Sequence, residues 1–180
     1  MIRNYLKMFI IIFVVAAQAP LDLVIDTNER DIEIEPGISG TKIVLFGATP
    51  TGKRDIVIEV VGPPKNQTMQ EKRRFFGFWL GRGKSYYKNV PSYYNLLSSK
   101  PLEEITSQEG LNKLGLGIEH LPLGKADIKY STVKQSEFDQ RLRSEMFANG
   151  QFFEKQGNII LRSGPGKVGL FKTEFSLPPN

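Results

Sequence analysis

The chain has 180 residues with no cysteine and one histidine, which excludes thiolate nucleophiles, zinc clusters, iron–sulfur centres and any histidine-rich metal site. The formal charge is +5; without Arg3 and Lys7 it falls to about +3, an ordinary value for a soluble domain. Disulfides are unavailable, so the chain must hold itself together by packing alone.

Arg3 and Lys7 lead into an unbroken apolar run from Met8 to Ala17, the order of a secretory signal peptide. The run is too short for a membrane-spanning helix, which takes about 20 apolar residues. Residues 1–17 therefore read as a signal peptide cleaved before Gln18, and 18–180 as a single β-rich domain released into the bacterial periplasm. Export makes nucleic acid a poor partner.

Carboxylates dominate the next stretch, with Asp22, Asp26, Glu29, Asp31, Glu33 and Glu35 set against Arg30 alone. Within it, Asp31 to Glu35 alternates polar and apolar residues and stops at Pro36-Gly37, which predicts a half-buried strand. Lys42 to Gly47 is more continuously apolar and is expected centrally in a sheet. Asp55 to Val61 is a further β-branched strand, stopped by Gly62-Pro63-Pro64. From Lys65 to Lys88 the balance reverses: Lys65, Lys72, Arg73, Arg74, Arg82, Lys84 and Lys88 face only Glu71. Complementary charges on two neighbouring strands would explain the pair of segments. The alternative is a basic surface turned toward anionic headgroups or an acidic partner. Gln67 to Arg73 reads as a polar strand, and the aromatic cluster Phe75, Phe76, Phe78 and Trp79 is expected in the core.

Beyond Pro101 a short helix is predicted, with Thr106 and Glu109 at capping-box spacing and Gly115 as its stop. A second helix is predicted from about Glu137 to Ala148. Ser136 would cap it, Phe138, Leu142 and Met146 would form its apolar face, and Asn149-Gly150 would be its exit. Strands return at Asn158 to Arg162 and Val168 to Leu177. The fold class that follows is mainly β: an immunoglobulin-like β-sandwich with a helical insertion at about 92–150. The last strand has no closing hairpin after it and is expected as an unpaired edge, the sandwich being incomplete at its C-terminus.

Two glycine motifs invite nucleotide readings and fail them. Gly47-Ala48-Thr49-Pro50-Thr51-Gly52-Lys53 matches a phosphate-binding loop as far as its lysine. However, Arg54 replaces the magnesium-binding hydroxyl, and a strand follows where a helix is required. Gly164-Pro165-Gly166-Lys167-Val168-Gly169 spells a dinucleotide fingerprint, again with a strand after it, and reads as a hairpin loop. Glu119-His120 is the one pairing that could place a base in a cleft; a lone loop histidine is more often structural. No catalytic residue, metal ligand or cofactor is expected, and the chain reads as non-enzymatic. The candidate binding residues are Arg73, Arg74, Arg82 and Lys84 with Tyr93 and Tyr94, a mixture of cations and amphipathic rings. Inward packing of one tyrosine from each of the pairs Tyr86-Tyr87 and Tyr93-Tyr94 is the competing structural reading.

Several stretches carry a resemblance: Val44-Leu45-Phe46-Gly47-Ala48-Thr49, Val60-Val61-Gly62-Pro63, Gly77-Phe78-Trp79-Leu80, and Val90-Pro91-Ser92-Tyr93-Tyr94 leading to Ser98-Ser99-Lys100-Pro101-Leu102-Glu103-Glu104-Ile105. In these the chain resembles the putative transmembrane protein family of alphaproteobacteria. The resemblance implies a signal peptide, a periplasmic β-rich domain and a C-terminal membrane helix, with a permease of the sulfite-exporter type as a neighbour. It brings no catalytic residue. The family's further strands and anchoring helix lie beyond the Leu-Pro-Pro stretch and are missing from this sequence, which therefore reads as a detached front part of such a protein. Sequence and resemblance together predict an interaction domain accessory to an inner-membrane permease or another envelope protein. A periplasmic small-ligand or anion-binding module is the alternative.

Overall fold

The computed structural model describes residues 9–13, 23–28, 42–49, 54–164 and 168–177. The chain is mainly β, and its described strands fall into three sheets. The strands are β1 (Phe9–Phe13), β2 (Val24–Thr27), β3 (Lys42–Thr49), β4 (Val57–Val61), β5 (Pro64–Phe75), β6 (Phe78–Pro91), β7 (Tyr94–Ser98), β8 (Asp127–Lys129), β9 (Phe152–Lys155), β10 (Ile160–Ser163) and β11 (Gly169–Ser176). Three helices lie between β7 and β9: α1 (Leu102–Ile105), α2 (Gln108–Leu114) and α3 (Gln135–Ala148). The strand predicted at Asp31–Glu35, the proposed cleavage site and the stretch Pro50–Lys53 lie outside the described residues.

Two compact units interleave along the chain. One is built mainly from Val60–Asn95 and Leu111–Phe153, the other from Ile11–Glu59, Leu96–Gly110 and Glu154–Asn180.

In the second unit the sheet order is β10-β11-β3-β2. Strand β3 sits centrally, as its apolar run predicts, with Ile43 and Leu45 fully buried. Strand β11 alternates buried and exposed residues along its whole length. It pairs antiparallel with β10 on one side and β3 on the other. The expectation of an unpaired final edge is thus corrected: β11 is an inner strand, because β10 returns to it through a hairpin. Gly164 N–H donates to the Val168 carbonyl at 2.7 Å in that hairpin, and a strand follows the glycine motif, as the sequence predicts. No helix follows Gly47-Ala48-Thr49 either; those residues end β3, and the next element is β4.

A further sheet has the order β1-β4-β7-β9. All five residues of β7 are buried, as are the first four of β4. Strands covered on both faces lose the polar alternation that marks half-buried ones. The Ser99 N–H to Ile56 carbonyl and Gly62 N–H to Tyr93 carbonyl bonds make β4 and β7 antiparallel.

In the first unit β5 and β6 form one hairpin extended by β8. Helix α3 buries Phe138, Leu142 and Met146 as predicted. It begins earlier than expected, with Lys134 rather than Ser136 at its N-cap, and Gly150 takes the left-handed exit at φ 66°. The predicted short helix is α2, which stops before Gly115 as expected, and α1 precedes it as an element the sequence did not mark. Thr106 closes α1 through its N–H to the Leu102 carbonyl, so it cannot open the next helix. That role falls to Ser107, whose hydroxyl accepts the Gly110 N–H at 3.2 Å.

Candidate functional site

The β5–β6 hairpin is the longest antiparallel pairing among the described residues and holds four of the six sequence-predicted binding residues. Register runs from Pro64 opposite Pro91 to Phe75 opposite Phe78. Two irregularities interrupt it. Asn66 faces both Lys88 and Asn89, with Asn89 at φ 60°; asparagine is among the few non-glycine residues that tolerate this region. Arg82 is the extra residue between the pairs Glu71–Gly83 and Lys72–Gly81. Bulges of this kind increase local twist and keep a long edge strand from lying flat.

Period-two alternation places Thr68, Gln70, Lys72 and Arg74 on one face of β5, with Tyr86 and Lys84 opposite the first two. Lys72, Arg74 and Lys84 are exposed on that face. The other face carries Met69, Glu71, Ser85 and Tyr87, all buried. The single acid of the hairpin is therefore turned away from its cations, and Ser131 Oγ donates to Glu71 Oε2 at 2.7 Å. Gly83, opposite Glu71, has no room for a side chain: an added Cβ would lie 2.4 Å from Ser131 Cβ. Tyr87 Oη donates to Asp139 Oδ1 at 2.6 Å and so ties β6 to α3. Burial, then the Asp139 bond, pushes the Tyr87 phenol well above the ordinary tyrosine value.

At the tip, Phe76 and Gly77 form a two-residue loop with φ 45° and 87°, the pair of positive angles of a type I′ turn. Phe76 is 88% and Phe78 74% exposed. The expectation that this aromatic cluster lies in the core is thus corrected for both rings. Phe76 lies in the turn itself, and Phe78, paired with Phe75, is the first residue of β6 at the far end of the hairpin. The side chains of Arg73 and Arg82 lie outside the described residues; their backbones place them opposite Leu80 and in the bulge.

Tyr93 and Tyr94 do not join this surface; both pack inward. They are 5% and 0% exposed. Asn95 Nδ2 donates to Tyr93 Oη at 3.1 Å, and Gly117 N–H donates to Tyr94 Oη at 3.0 Å. Their rings meet Phe153 and Phe152 at centroid distances of 6.0 and 5.9 Å. Desolvation raises the Tyr93 phenol to about 12. In the Tyr86-Tyr87 pair one ring is exposed and one is buried, as strand alternation requires. His120 Nδ1 lies 2.7 Å from Asn112 Oδ1 in its loop, and Glu119 beside it is exposed.

A second surface, missed in the sequence, is the outward face of the β10-β11-β3-β2 sheet. Register aligns Asp26, Phe46, Lys172 and Ile160 in one row and Val24, Ala48, Leu170 and Arg162 in the next. Val24, Phe46, Ile160 and Leu170 are all exposed. They alternate with charges and lie on one face, a pattern that marks interaction surfaces more than scattered apolar residues do. Strand β11 shows the signal that could have found it: Leu170 stands among outward residues that are otherwise polar.

The acidic and basic segments do not pair as neighbouring strands where they are described. Strand β2, carrying Asp26, pairs with β3, whereas β5 and β6 pair with each other and β8. Among the described residues no three His, Cys, Asp or Glu side chains come together as a metal site requires. No described helix is long and apolar enough to cross a membrane.

The family described as "Putative transmembrane protein (Alph_Pro_TM)" matches residues 22–180. The chain belongs to this family. No curated protein and no solved structure matches it.

Proposed function

We propose that the chain is a non-enzymatic interaction domain of the cell envelope, placed at the periplasmic face of the inner membrane and accessory to a permease. The observation that carries this reading is the outward face of the β10-β11-β3-β2 sheet, where Val24, Phe46, Ile160 and Leu170 are exposed together. Holding four large apolar side chains in water has a cost that burial against a partner recovers, at roughly 25 cal/mol per Å² of apolar surface covered. Lys172, Arg162 and Asp26 among them supply the polar rim of such an interface. Membership of a membrane-protein family supports a location at the membrane. The apolar run Met8–Ala17 after Arg3 and Lys7 supports export.

A photo-crosslinking amino acid at Phe46 or Leu170, introduced in intact cells, is expected to trap an integral inner-membrane protein. The same label at exposed Lys113 of α2 serves as the control. Leu170→Lys is expected to abolish co-purification of that protein while leaving the thermal midpoint unchanged, since the residue is outward-facing. No adduct at either sheet position would overturn the reading.

A further inference from the structure

We infer that the outer edge of β5 takes an extended acidic segment of a partner protein as an added strand, with Lys72 and Arg74 on one face of it and the polar flank of α3 on the other. This site uses none of the residues of the sheet face proposed above and stands independently of it.

The edge supplies the first argument. Strand β5 ends the order β5-β6-β8, and none of the described strands pairs with its far side. Both irregularities of the hairpin place the extra residue on β6, so β5 runs unbroken from Pro64 to Phe75. The two-residue loop closes on the pair Phe75–Phe78, which is hydrogen-bonded in such a turn. Alternation along an antiparallel ladder then turns the N–H and C=O groups of Arg74, Lys72, Gln70 and Thr68 away from β6, toward the open edge. A row of this kind is a template for main-chain pairing with another strand.

A cleft beside that edge supplies the second. It has a volume of about 530 Å³ and is lined by Met69 of β5 and by Glu137, Gln140, Arg141, Ser144 and Glu145 of α3. These helical residues recur at turn spacing and form one polar flank beside the buried stripe of Phe138, Leu142 and Met146. A strand added to β5 alternates its side chains between this cleft and the opposite face.

Charge decides what that strand carries. Lys72 and Arg74 are exposed two residues apart on the opposite face, and neither forms an ion pair among the described residues. Lys84 adds to the positive field from β6, opposite Gln70. Acidic side chains at every second position meet these cations as cross-strand neighbours. The cleft has the reverse sign: Arg141 is ion-paired to Glu137 at 3.9 Å, which leaves Glu145 in excess. Uncharged polar side chains, rather than acids, therefore suit the inner face. Opposite fields on the two faces fix the register of the added strand. They also disfavour a second copy, since β5 against β5 brings like cations together.

The probe is a synthetic peptide of about eight residues alternating glutamate with threonine, long enough to span Thr68 to Arg74. Added to the full chain, it is expected to slow amide exchange at Gln70, Lys72 and Arg74, read by heteronuclear NMR. Binding is expected to weaken as salt rises from about 0.05 to about 0.5 M. Glutamine in place of its glutamates should weaken binding about tenfold, the worth of two exposed ion pairs, and Lys72→Glu combined with Arg74→Glu should weaken it at least as much. Peptide methylated at every backbone nitrogen keeps its charges but cannot donate hydrogen bonds, and should not bind. Ser144→Trp fills the cleft from an exposed helix position and should block the peptide while leaving the thermal midpoint unchanged. The inference is overturned if the peptide does not bind, if its methylated form binds equally, or if exchange at Lys72 and Arg74 stays as in the free chain. Slowing of those amides with rising protein concentration and no peptide would give the edge to a second copy and overturn it likewise. Such failures leave crosslinking at Phe46 and Leu170 untouched, so the two readings fall separately.

Discussion

Tyr93, just before β7, and Tyr94, its first residue, are both buried, as neighbouring residues are only where the chain is covered on both sides. Each hydroxyl then needs a partner inside the fold. Tyr94 Oη accepts the Gly117 N–H, so Tyr94→Phe leaves that buried donor without its acceptor and should lower stability by about 1–3 kcal/mol, measured by urea unfolding. Tyr93 offers a pH test. Burial raises its phenol from 10.0 to about 12, so folding favours the neutral form. The associated stability is complete below pH 10 and is lost as pH rises through about 12, because the unfolded chain releases its proton first. Tyr87 is shifted in the same direction. An alkaline fall in thermal midpoint is therefore expected, and Tyr93→Phe should reduce it without removing it. A Tyr93→Phe midpoint that follows the parent's pH curve would count against this assignment.

At the scale of elements, α3 shows what the sequence makes legible. Phe138, Leu142 and Met146 recur at helical spacing and are buried. The same helix carries a contact that no pattern reveals: Arg143 Nε donates to the Ile118 carbonyl and its Nη2 to the Leu121 carbonyl, each at 2.8 Å. These bonds hold the loop after α2, and Arg143→Met should cost about 2 kcal/mol in urea unfolding, the lower range for hydrogen bonds with a charged donor. Hydrogen exchange in residues 117–121 should accelerate with it; unchanged exchange there would reject the assignment. The sequence also marks β3, β4, β10 and β11, where β-branched runs meet glycine and proline stops. It misleads at the hairpin. Phe75 to Trp79 looks like core because aromatic clusters normally are, and only the register of β5 against β6 reveals that Phe76-Gly77 is a turn. Strands β8 and β9 have three and four residues, too short for any period to emerge. Of the predicted binding residues, Arg74 and Lys84 share one face on the two arms of the hairpin, Arg74 opposite Trp79 and Lys84 opposite Gln70, while Tyr93 and Tyr94 are buried at the start of β7.

Across the whole molecule, the N-terminal segment carries two structural possibilities that compete. Phe9–Phe13 forms β1 beside β4 in the sheet order β1-β4-β7-β9, yet it lies inside the segment that reads as a signal peptide. Both follow from one property: a continuous apolar run satisfies the export machinery and also suits a strand whose partner is Val57-Ile58-Glu59-Val60. Cleavage before Gln18 would remove β1 and make β4 an edge strand. Its backbone groups would then be open to pairing with another chain. We expect chain recovered from the periplasmic fraction to begin at Gln18 by N-terminal sequencing. This cleaved form should self-associate more readily than full-length chain of 180 residues, with the difference measured by analytical ultracentrifugation. Lys65 and Lys72 on β5 oppose such pairing in their own sheet, whereas Val57, Ile58 and Val60 of β4 are apolar and offer no charge to do so. A periplasmic chain that still begins at Met1 would refute cleavage, and β1 would then be a permanent part of the sheet that gives β4 a neighbour on each side.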